Sequence, residues 1–356
     1  MKILATSDLH GDISQYKKLI NYIQQCSDIE TIFIDGDISV RRSVLRNAII
    51  KDIEDKEKRR VTSKEKKEIE STMVVDKQYE WFTNIFFNLM KNCKNNNNNK
   101  IPIYMNMGNA DYRINFERLK EFFERNKDIV EVHLLENDTL VPLKINNSNS
   151  NDELYVYSLS NVSISNHRNK DWENVDLKSD IKDILNFFDT NPDCTRNEVQ
   201  LMNISNVNRS ILLKGLKSTC RNGQMILIDE EVSLSPEDTL EAILENFENR
   251  VTSEILSKTI CLMHGPPYGT PLDIIKSGDH VGSIAIRNFL NKNKPLLSIH
   301  GHIHESVLKS KQFLMNNSTE NRNSISVSIG NIFKSNYLSI VVIDTNDLLN
   351  SKRYNL

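Results

Sequence analysis

Short apolar segments that end at a glycine or a polar cluster constrain the fold of this chain most. Segments of this length and pattern are typical of buried strands. The predicted strands are Lys2–Ser7, Thr31–Ile34, Ile101–Met107, Leu154–Ser158, Lys258–Met263, Leu296–His300, Ser324–Ile329 and Tyr337–Ile343. Each strand that stops at a polar cluster offers a place where functional side chains can gather.

Amphipathic segments of helical period lie between these strands. One of them has a clear start, because Ser235 can act as its N-cap, Pro236 takes the first helical position, and Glu237 and Asp238 place negative charge at the positive end of the helix dipole. Strands that alternate with helices predict a layered α/β or α+β domain. The predicted helices are Ser14–Gln25, Lys77–Met90, Phe116–Asn126 and Pro236–Leu256.

The chain has 356 residues, and we predict a single domain over residues 1–356 that is interrupted by inserted segments. Three asparagine-rich loops, Asn95–Asn99, Asn146–Asn151 and Asn316–Asn323, carry too little apolar surface to offset the entropy of ordering them. Lys51–Glu70 mixes both charges densely, and we interpret it as a solvated helical arm. A role for this arm in docking a protein partner is the alternative.

Composition argues against several classes of protein. Lysine and arginine total 45 against 48 for aspartate and glutamate, so we expect neither nucleic acid nor an anionic membrane surface as a partner. The sequence shows no targeting segment and no apolar run long enough to span a membrane. The five cysteines are scattered without a C-x-x-C pair, which argues against zinc ribbons and disulfide frameworks. We therefore predict a cytoplasmic protein.

Five blocks place metal-ligand side chains at the carboxyl ends of predicted strands. Loops at such ends converge in space although they are far apart in sequence. Carboxylates, imidazoles and an amide suit manganese, iron, zinc or nickel, whereas an all-oxygen set would indicate calcium or magnesium. The blocks are Asp8-Leu9-His10, Gly36-Asp37, Gly108-Asn109, His264-Gly265 and Gly301-His302-Ile303-His304.

The order of these blocks resembles the calcineurin-like metallophosphoesterase superfamily. Three sequence segments further resemble the Icc-related predicted phosphoesterases of this superfamily. They are the segment around His264, His280-Val281-Gly282-Ser283 and His300–Ser306. The resemblance covers most of the chain from Met1 to about Ile343 and implies a four-layer αββα sandwich of two mixed β-sheets. It also implies hydrolysis of a phosphoester, with a phosphodiester ahead of a monoester and a nucleotide as one candidate substrate.

Carried over by position, the resemblance implies two divalent metal ions, with manganese favoured over iron, zinc or nickel. Asp37 would bridge the ions, and a hydroxide between them would attack phosphorus. The catalytic set would be Asp37, Asn109, Asp111 and His264. One ion would be held by Asp8, His10, Asp37 and His304, and the other by Asp37, Asn109, His264 and His302.

Ala110 departs from the family pattern, because many members have a histidine after this asparagine that assists the leaving group. The general acid is therefore unassigned, and substrates with a leaving group of low pKa would suffer least. We expect Asp111 to orient a ligand histidine.

Several nearby residues have two interpretations. Tyr268 could stack on a base or aryl group, or it could pack in a turn. Ser283 could simply cap a helix. Alternatively, the start of that helix, or its Arg287, could lie near a substrate phosphate. We favour the cap alone. His300 is interpreted as a packed, hydrogen-bonded histidine, and His133 and His167 as surface or packing residues.

Three other functions remain in competition. A phosphomonoesterase or protein phosphatase would be expected to carry a histidine in place of Ala110 and arginines that grip phosphate. A nuclease is disfavoured by the near-neutral charge. A non-catalytic scaffold that binds protein partners is disfavoured because every ligand position is filled.

Overall fold

A computed structural model describes residues 1–143, 153–165, 167, 169–190, 202–205, 210–332 and 335–356. Its strands, in chain order, are β1 Lys2–Ser7, β2 Thr31–Asp35, β3 Ile103–Asn106, β4 Val132–Leu134, β5 Thr139–Pro142, β6 Tyr155–Leu159, β7 Val162–Ser163, β8 Glu173–Asn174, β9 Met202–Ser205, β10 Ser210–Arg221, β11 Gln224–Leu234, β12 Thr259–Met263, β13 Leu297–His300, β14 Leu314–Asn316, β15 Ile325–Ser328, β16 Ser339–Asp344 and β17 Lys352–Asn355.

The helices are α1 Ile13–Gln25, α2 Arg42–Glu57, α3 Ser63–Thr72, α4 Val74–Glu80, α5 Phe87–Met90, α6 Phe116–Arg125, α7 Lys178–Thr190, α8 Leu240–Arg250, α9 Ser253–Ser257, α10 Ile284–Asn293 and α11 Ser306–Ser310. A π-helical stretch, Trp81–Phe86, joins α4 to α5. Short 3₁₀ turns occur at Arg113–Asn115, Pro236–Asp238 and Leu348–Asn350.

Two six-stranded mixed sheets form the centre of the fold. The first has the strand order β17-β16-β1-β2-β3-β4, with β1 to β4 parallel and β16 and β17 antiparallel to their neighbours. The second has the order β14-β15-β13-β12-β6-β5, in which β6, β12, β13 and β15 are parallel. Parallel strands deliver all their carboxyl ends to one edge of a sheet.

The sheets pack face to face across an apolar layer. Phe33 and Tyr104 from the first sheet belong to a buried cluster that includes Leu262 and Ile299 from the second. Because successive side chains of a strand point to opposite faces, Leu4 and Ile34 lie instead among the outer helices. On the far side, Tyr157 and Met263 pack with residues of α8 and α10. The predicted four-layer αββα architecture is confirmed.

All eight predicted strands are present, with ends that differ by at most two residues. The prediction Ile101–Met107 was too long: β3 begins only after Pro102, which has no N–H to donate to a ladder. The long hairpin of β10 and β11, which joins β9 in a separate three-stranded sheet, was not predicted.

The predicted helix Pro236–Leu256 is wrong as a single element. Pro236–Asp238 forms a 3₁₀ turn, in which the Ser235 N–H donates to Asp238. The α-helix begins later, where the hydroxyl of Thr239 accepts from the N–H of Ala242, and α9 follows after a break at Val251 and Thr252. Both β-branched residues at the break adopt extended backbone, which ends the first helix.

The charged segment Lys51–Glu70 is helical over most of its length but does not extend freely into solvent. It forms the end of α2 and most of α3, and α3 begins at a capping box of Thr62 and Glu65. Buried apolar side chains such as Ile69 pack these helices against Leu216 and Leu227 of the β10–β11 hairpin. A stripe of apolar residues in a charge-rich segment is enough to fasten it to the domain.

Two of the three asparagine-rich segments lie within the described residues and contain local hydrogen bonds. The side chain of Asn95 accepts hydrogen bonds from the N–H groups of Asn97 and Asn99, which closes a turn. Asn317 is buried and donates to Ser326. Asparagine thus supplies local hydrogen bonds where apolar contacts are missing. Asn146–Asn151 lies outside the described residues.

The two ends of the sequence meet in the first sheet, where β1 pairs with β16. We propose that residues 1–356 form one domain, because such a sheet cannot be completed by either half of the chain alone. No helix within the described ranges is both long and apolar enough to cross a membrane.

Candidate metal centre

Seven predicted ligands converge at the facing edges of the two sheets. Asp8 and His10 follow β1, Asp37 follows β2 and Asn109 follows β3. The second sheet contributes the remaining three from the opposite side, after β12 and β13. They are His264, His302 and His304.

One half of the centre contains four donor groups that lie close enough to share an ion. One ligand atom from each of Asp8, His10, Asp37 and His304 falls within 4.8 Å of the others. His10 Nε2 is 3.2 Å from His304 Nε2 and 3.6 Å from Asp37 Oδ2, and His304 Nε2 is 3.5 Å from Asp8 Oδ1. All but His304 are buried.

The other half is formed around the second oxygen of the same carboxylate. Asp37 Oδ1 is 3.6 Å from His264 Nε2, and Asn109 Oδ1 is 3.1 Å from His302 Nδ1. Asp37 therefore presents one oxygen to each set of imidazoles, as a bridging ligand would. The structure brings together all seven residues that the sequence predicts.

His264 provides an independent test of whether a metal fits. Its Nδ1 lies 3.1 Å from the carbonyl oxygen of Asp35. A carbonyl can only accept, so Nδ1 carries a hydrogen, and Nε2 is the ring nitrogen that can act as a ligand once it is deprotonated. This Nε2 is buried and has no hydrogen-bond partner in the described part of the chain. A buried ring nitrogen aimed at a carboxylate suits a divalent cation.

The backbone of the ligand loops adopts conformations that L-residues rarely take. Asp8, His10, Asp37 and His302 have positive φ values of 54°, 45°, 49° and 63°. Each such conformation costs on the order of 1–3 kcal/mol for a residue with a side chain. Four of them in one site indicate that packing elsewhere stabilises the strained loops.

Glycines next to the ligands allow the loops to approach one another. A Cβ at Gly108 would lie 2.3 Å from Asp37 Oδ1, and one at Gly36 would lie 2.4 Å from His264 Nδ1. Gly36 also has a φ of 65°, in the left-handed region that glycine tolerates. The Gly-Asp and Gly-Asn pairs of the sequence therefore reflect close packing around the ligands.

The contacts of Asp111 differ from the prediction that it orients a ligand histidine directly. Its buried carboxylate accepts from the N–H groups of Ile38, Ser39 and Gly108, at 3.1, 3.0 and 3.1 Å, and from the Ser39 hydroxyl at 2.7 Å. These donors belong to the loops that carry Asp37 and Asn109. Asp111 thus fixes the loops of two predicted ligands through their backbones, which the sequence did not indicate.

Asp35 is a neighbour that the sequence analysis missed. Its carboxylate Oδ2 is 3.9 Å from His264 Nδ1, and burial raises the pKa of this aspartate to about 7. The available signal was its position in Asp35-Gly36-Asp37, where it ends a strand whose preceding residues are mostly apolar.

The protonation states of the histidines differ strongly. Burial lowers the pKa of His10 and of His302 to about 3, so both rings are neutral at pH 7. Burial would also lower the pKa of His264, but the charges of Asp37 and Asp8 outweigh it and raise that pKa to about 10. Burial favours a neutral Asp8, yet His304 holds the pKa of this carboxyl at about 2. Without a metal, the proton on His264 offsets part of the negative charge of Asp37 and Asp8. A bound cation could take over this role.

A cavity of about 240 Å³ opens over the cluster, and about half of the residues around it were not predicted as part of the site. Arg41 is prominent among them, with Nη2 at 2.7 Å from His10 Nε2. His167 is an exposed residue, as predicted, and it also lines the cavity, whereas Ala110 contributes no functional side chain there. Other lining residues that the sequence offered no reason to select are Arg42, Ser43, Tyr112 and Asn169.

Tyr268 and Arg287 are not brought to this cavity. The Tyr268 ring lies near His280, and the guanidinium of Arg287 packs over Gly269. The start of α10 is capped by Ser283, as predicted, but it also receives the carboxylate of Asp176, which accepts from the Ile284 N–H at 2.6 Å. An aspartate therefore occupies the position considered for a substrate phosphate.

His300 is confirmed as a packed histidine. Its Nδ1 lies 3.0 Å from the carbonyl oxygen of Met263 and 2.9 Å from that of Gly265, and its Nε2 is 2.9 Å from Ser298 Oγ. His133 stacks on Tyr104 and contacts Glu131, away from the cluster.

Comparisons with known proteins agree with this geometry. The sequence model of the family described as calcineurin-like phosphoesterase matches residues 1–202. This range contains Asp8, His10, Asp37 and Asn109, whereas the three histidines of the second sheet lie beyond it. No curated protein matches the chain in sequence.

One solved structure shares the fold at low sequence identity, and two others show a weaker similarity. One crystal structure superposes with a TM-score of 0.50 and 12% identity over 99% of this chain and 98% of its own. A phosphopantetheinyl hydrolase from Mycobacterium tuberculosis has a TM-score of 0.39 and 10% sequence identity, over 93% of this chain and 89% of its own. A 5'-nucleotidase precursor from Thermus thermophilus has a TM-score of 0.41 and 10% sequence identity, over all of this chain but only 54% of that protein.

Metal binding should release protons. Because the raised pKa keeps His264 protonated at neutral pH, a cation that binds Nε2 must displace about one proton there. Affinity should therefore increase as pH rises from about 6 towards 10. Calorimetry of manganese binding in buffers of different ionisation enthalpy measures the released protons, and His264→Ala should release fewer. Binding without proton release would contradict the arrangement described.

Asp111→Asn should weaken metal binding without removing a ligand. The amide would turn an N–H₂ towards backbone N–H donors and loosen both loops, for an expected loss of about 10- to 100-fold in affinity. Asp273→Asn is a matched control, since Asp273 is also buried and accepts from the N–H groups of Gly269, Thr270 and Gly282 in a different loop. Equal affinities of the two variants in a chelator competition would refute this role.

Proposed function

The chain belongs to the calcineurin-like phosphoesterase family, and from this premise we propose that it hydrolyses a phosphodiester at a two-metal centre. The observation that carries the proposal is the position of Asp37. Its two carboxylate oxygens lie 3.6 Å from His10 Nε2 and 3.6 Å from His264 Nε2, on opposite sides of one buried group. A single ion would not need a carboxylate placed in this way.

The residues present fit two divalent ions. Asp8, His10, Asp37 and His304 would hold one, and Asp37, Asn109, His264 and His302 the other. When bound, such a pair polarises phosphoryl oxygens and supplies a deprotonated water at neutral pH. We propose manganese as the natural ion, since the mixed carboxylate and imidazole set suits it, with iron, zinc or nickel as the alternatives.

The protein's own contribution beyond the ligands would come from the cavity. Arg41 and Arg42 line it, and Arg42 is also paired with Glu70 at 3.0 Å. Arg41 can bind phosphoryl oxygens through paired N–H groups. Ala110 cannot donate a proton from its side chain, so the leaving group must depart with little help or take a proton from another cavity residue. His167 is one such residue. These features favour leaving groups of low pKa, among which a nucleotide is a candidate.

A phosphomonoester is the second candidate substrate. Two arginines at the cavity favour it, because a dianionic phosphate gains more from them than a diester does. The missing histidine at Ala110 counts against a protein phosphatase. A pure scaffold is disfavoured because seven ligand positions are filled and clustered. Docking of a protein partner on the charged helices α2 and α3 remains a secondary proposal.

We also propose a cytoplasmic location. Cys26, Cys93, Cys220 and Cys261 are free thiols, and Cys194 lies outside the described residues. Free cysteines fit a reducing compartment.

The central test compares bis(p-nitrophenyl) phosphate with p-nitrophenyl phosphate on metal-stripped protein with manganese added back. The diester should be cleaved in a metal-dependent way, with the monoester slower. Asp37→Asn should lose more than about 100-fold in kcat/KM, since even residues that only support metal ligands typically cost 10- to 100-fold.

Preference for the monoester would select the second candidate. Bound metal without hydrolysis of either ester would refute the enzyme proposal. Ser39→Ala, which keeps every ligand, is the control for general damage to the loop that carries Asp37.

Arg41→Gln should reduce kcat/KM by about 10- to 100-fold, because a hydrogen bond to a charged group contributes roughly 1.5–3 kcal/mol. The loss should be larger for the monoester than for the diester if the guanidinium binds the phosphoryl group. Arg46→Gln is the matched control, since Arg46 pairs with Glu70 and does not line the cavity. Similar kinetics of the two variants would exclude Arg41 from substrate binding.

A further inference from the structure

A largely apolar groove of about 590 Å³ lies directly beside the candidate metal centre. It is bounded by the start of α1, the first turns of α2 and the helical stretch from Lys77 to Ile85. Its apolar lining residues include Ile13, Val40, Val44, Leu45, Trp81 and Ile85.

Three of these side chains are unusually exposed for their type. Ile13, Val44 and Ile85 have 40%, 45% and 37% of their surface exposed, although they face one depression. Grouped exposed apolar residues on a folded domain commonly mark a binding site. Charged residues such as Lys77 and Glu80 also line the groove, so its apolar surface is bordered by charged groups.

The groove and the catalytic cavity share a wall. His10 lines both of them. The segment from Val40 to Leu45 divides between the two: Arg41, Arg42 and Ser43 line the cavity, while Val40, Val44 and Leu45 line the groove. A molecule whose phosphoryl group lies at the metal centre can therefore extend an apolar substituent across this short segment.

We propose that the groove binds an apolar substituent of the phosphoester substrate, an alkyl or aryl group esterified to the phosphate. This inference rests on the proposed function and narrows it to amphiphilic phosphoesters. The groove has the volume of a small-molecule pocket, about 300–1,000 Å³. A protein partner would need a contact area of about 800 Å² on each side, for which this depression alone is too small.

The test uses a series of alkyl p-nitrophenyl phosphates, from methyl to octyl, with the manganese-loaded full chain. Burial of one methylene is worth about 0.8 kcal/mol, so kcat/KM should rise about two- to fourfold per carbon until the groove is filled. Ala48 lines the groove and is exposed, so Ala48→Phe should fill the space and flatten this dependence. Asn47 is next to Ala48 on α2 and lies outside the groove, so Asn47→Phe should retain the dependence on chain length.

Binding of octylphosphonate and ethylphosphonate, measured by calorimetry on the same three proteins, separates this inference from the proposed function. Tighter binding of the octyl compound to wild type and Asn47→Phe, but not to Ala48→Phe, would support the groove even if no ester were cleaved. Cleavage of the methyl ester with no dependence on chain length would overturn the inference and leave the proposed function intact. Equal chain-length dependence in Ala48→Phe and Asn47→Phe would overturn it as well.

Discussion

The buried carboxylate of Asp37 between two sets of imidazoles is the constraint on which the site depends. An ionised group out of water is costly unless charges of opposite sign surround it. His264 supplies that charge as a proton, and its pKa is raised as a result. The arrangement is therefore one that a divalent cation would neutralise more completely than the protein does alone. Its ligands come from both sheets, so the site also requires the sandwich to be assembled.

The close approach of the ligands has a structural cost that the fold absorbs. Several loops that carry the predicted ligands have residues in the left-handed backbone conformation. At Gly36 and Gly108 the neighbouring atoms leave no room for a Cβ. Asp111 offsets part of the cost by accepting hydrogen bonds from both loops, and the Gln78 side chain supports the following turn through the Ala110 carbonyl and the Tyr112 N–H. Precise placement of a few groups thus depends on a continuous network of buried polar contacts behind them.

The sheets and the convergence of ligands could be predicted from the sequence because both follow from local pattern. Strands such as Lys2–Ser7 are short, mostly apolar and followed by ligand-type residues, so their ends were recognisable. Arg41 could not be found in this way, since its position depends on how distant loops fold over the cavity. The helix Pro236–Leu256 failed for a related reason: its periodicity continued across Thr239 and Val251, where local capping and extended backbone interrupt it.

The proposed function would divide chemistry and substrate selection between different parts of the chain. Strand ends position the groups that can hold metal, and these positions are fixed by the sheets. The wall of the groove comes largely from the segment between β2 and β3, which also supplies part of the cavity wall. Within this segment Arg41 lines the cavity and Val44 lines the groove. On this proposal, changes in α2 would alter which ester substituent fits without moving a candidate metal ligand. Under the proposed function Ala110 would add to this division, because a site without an acid at that position would depend more on the leaving group and on recognition of its substituents.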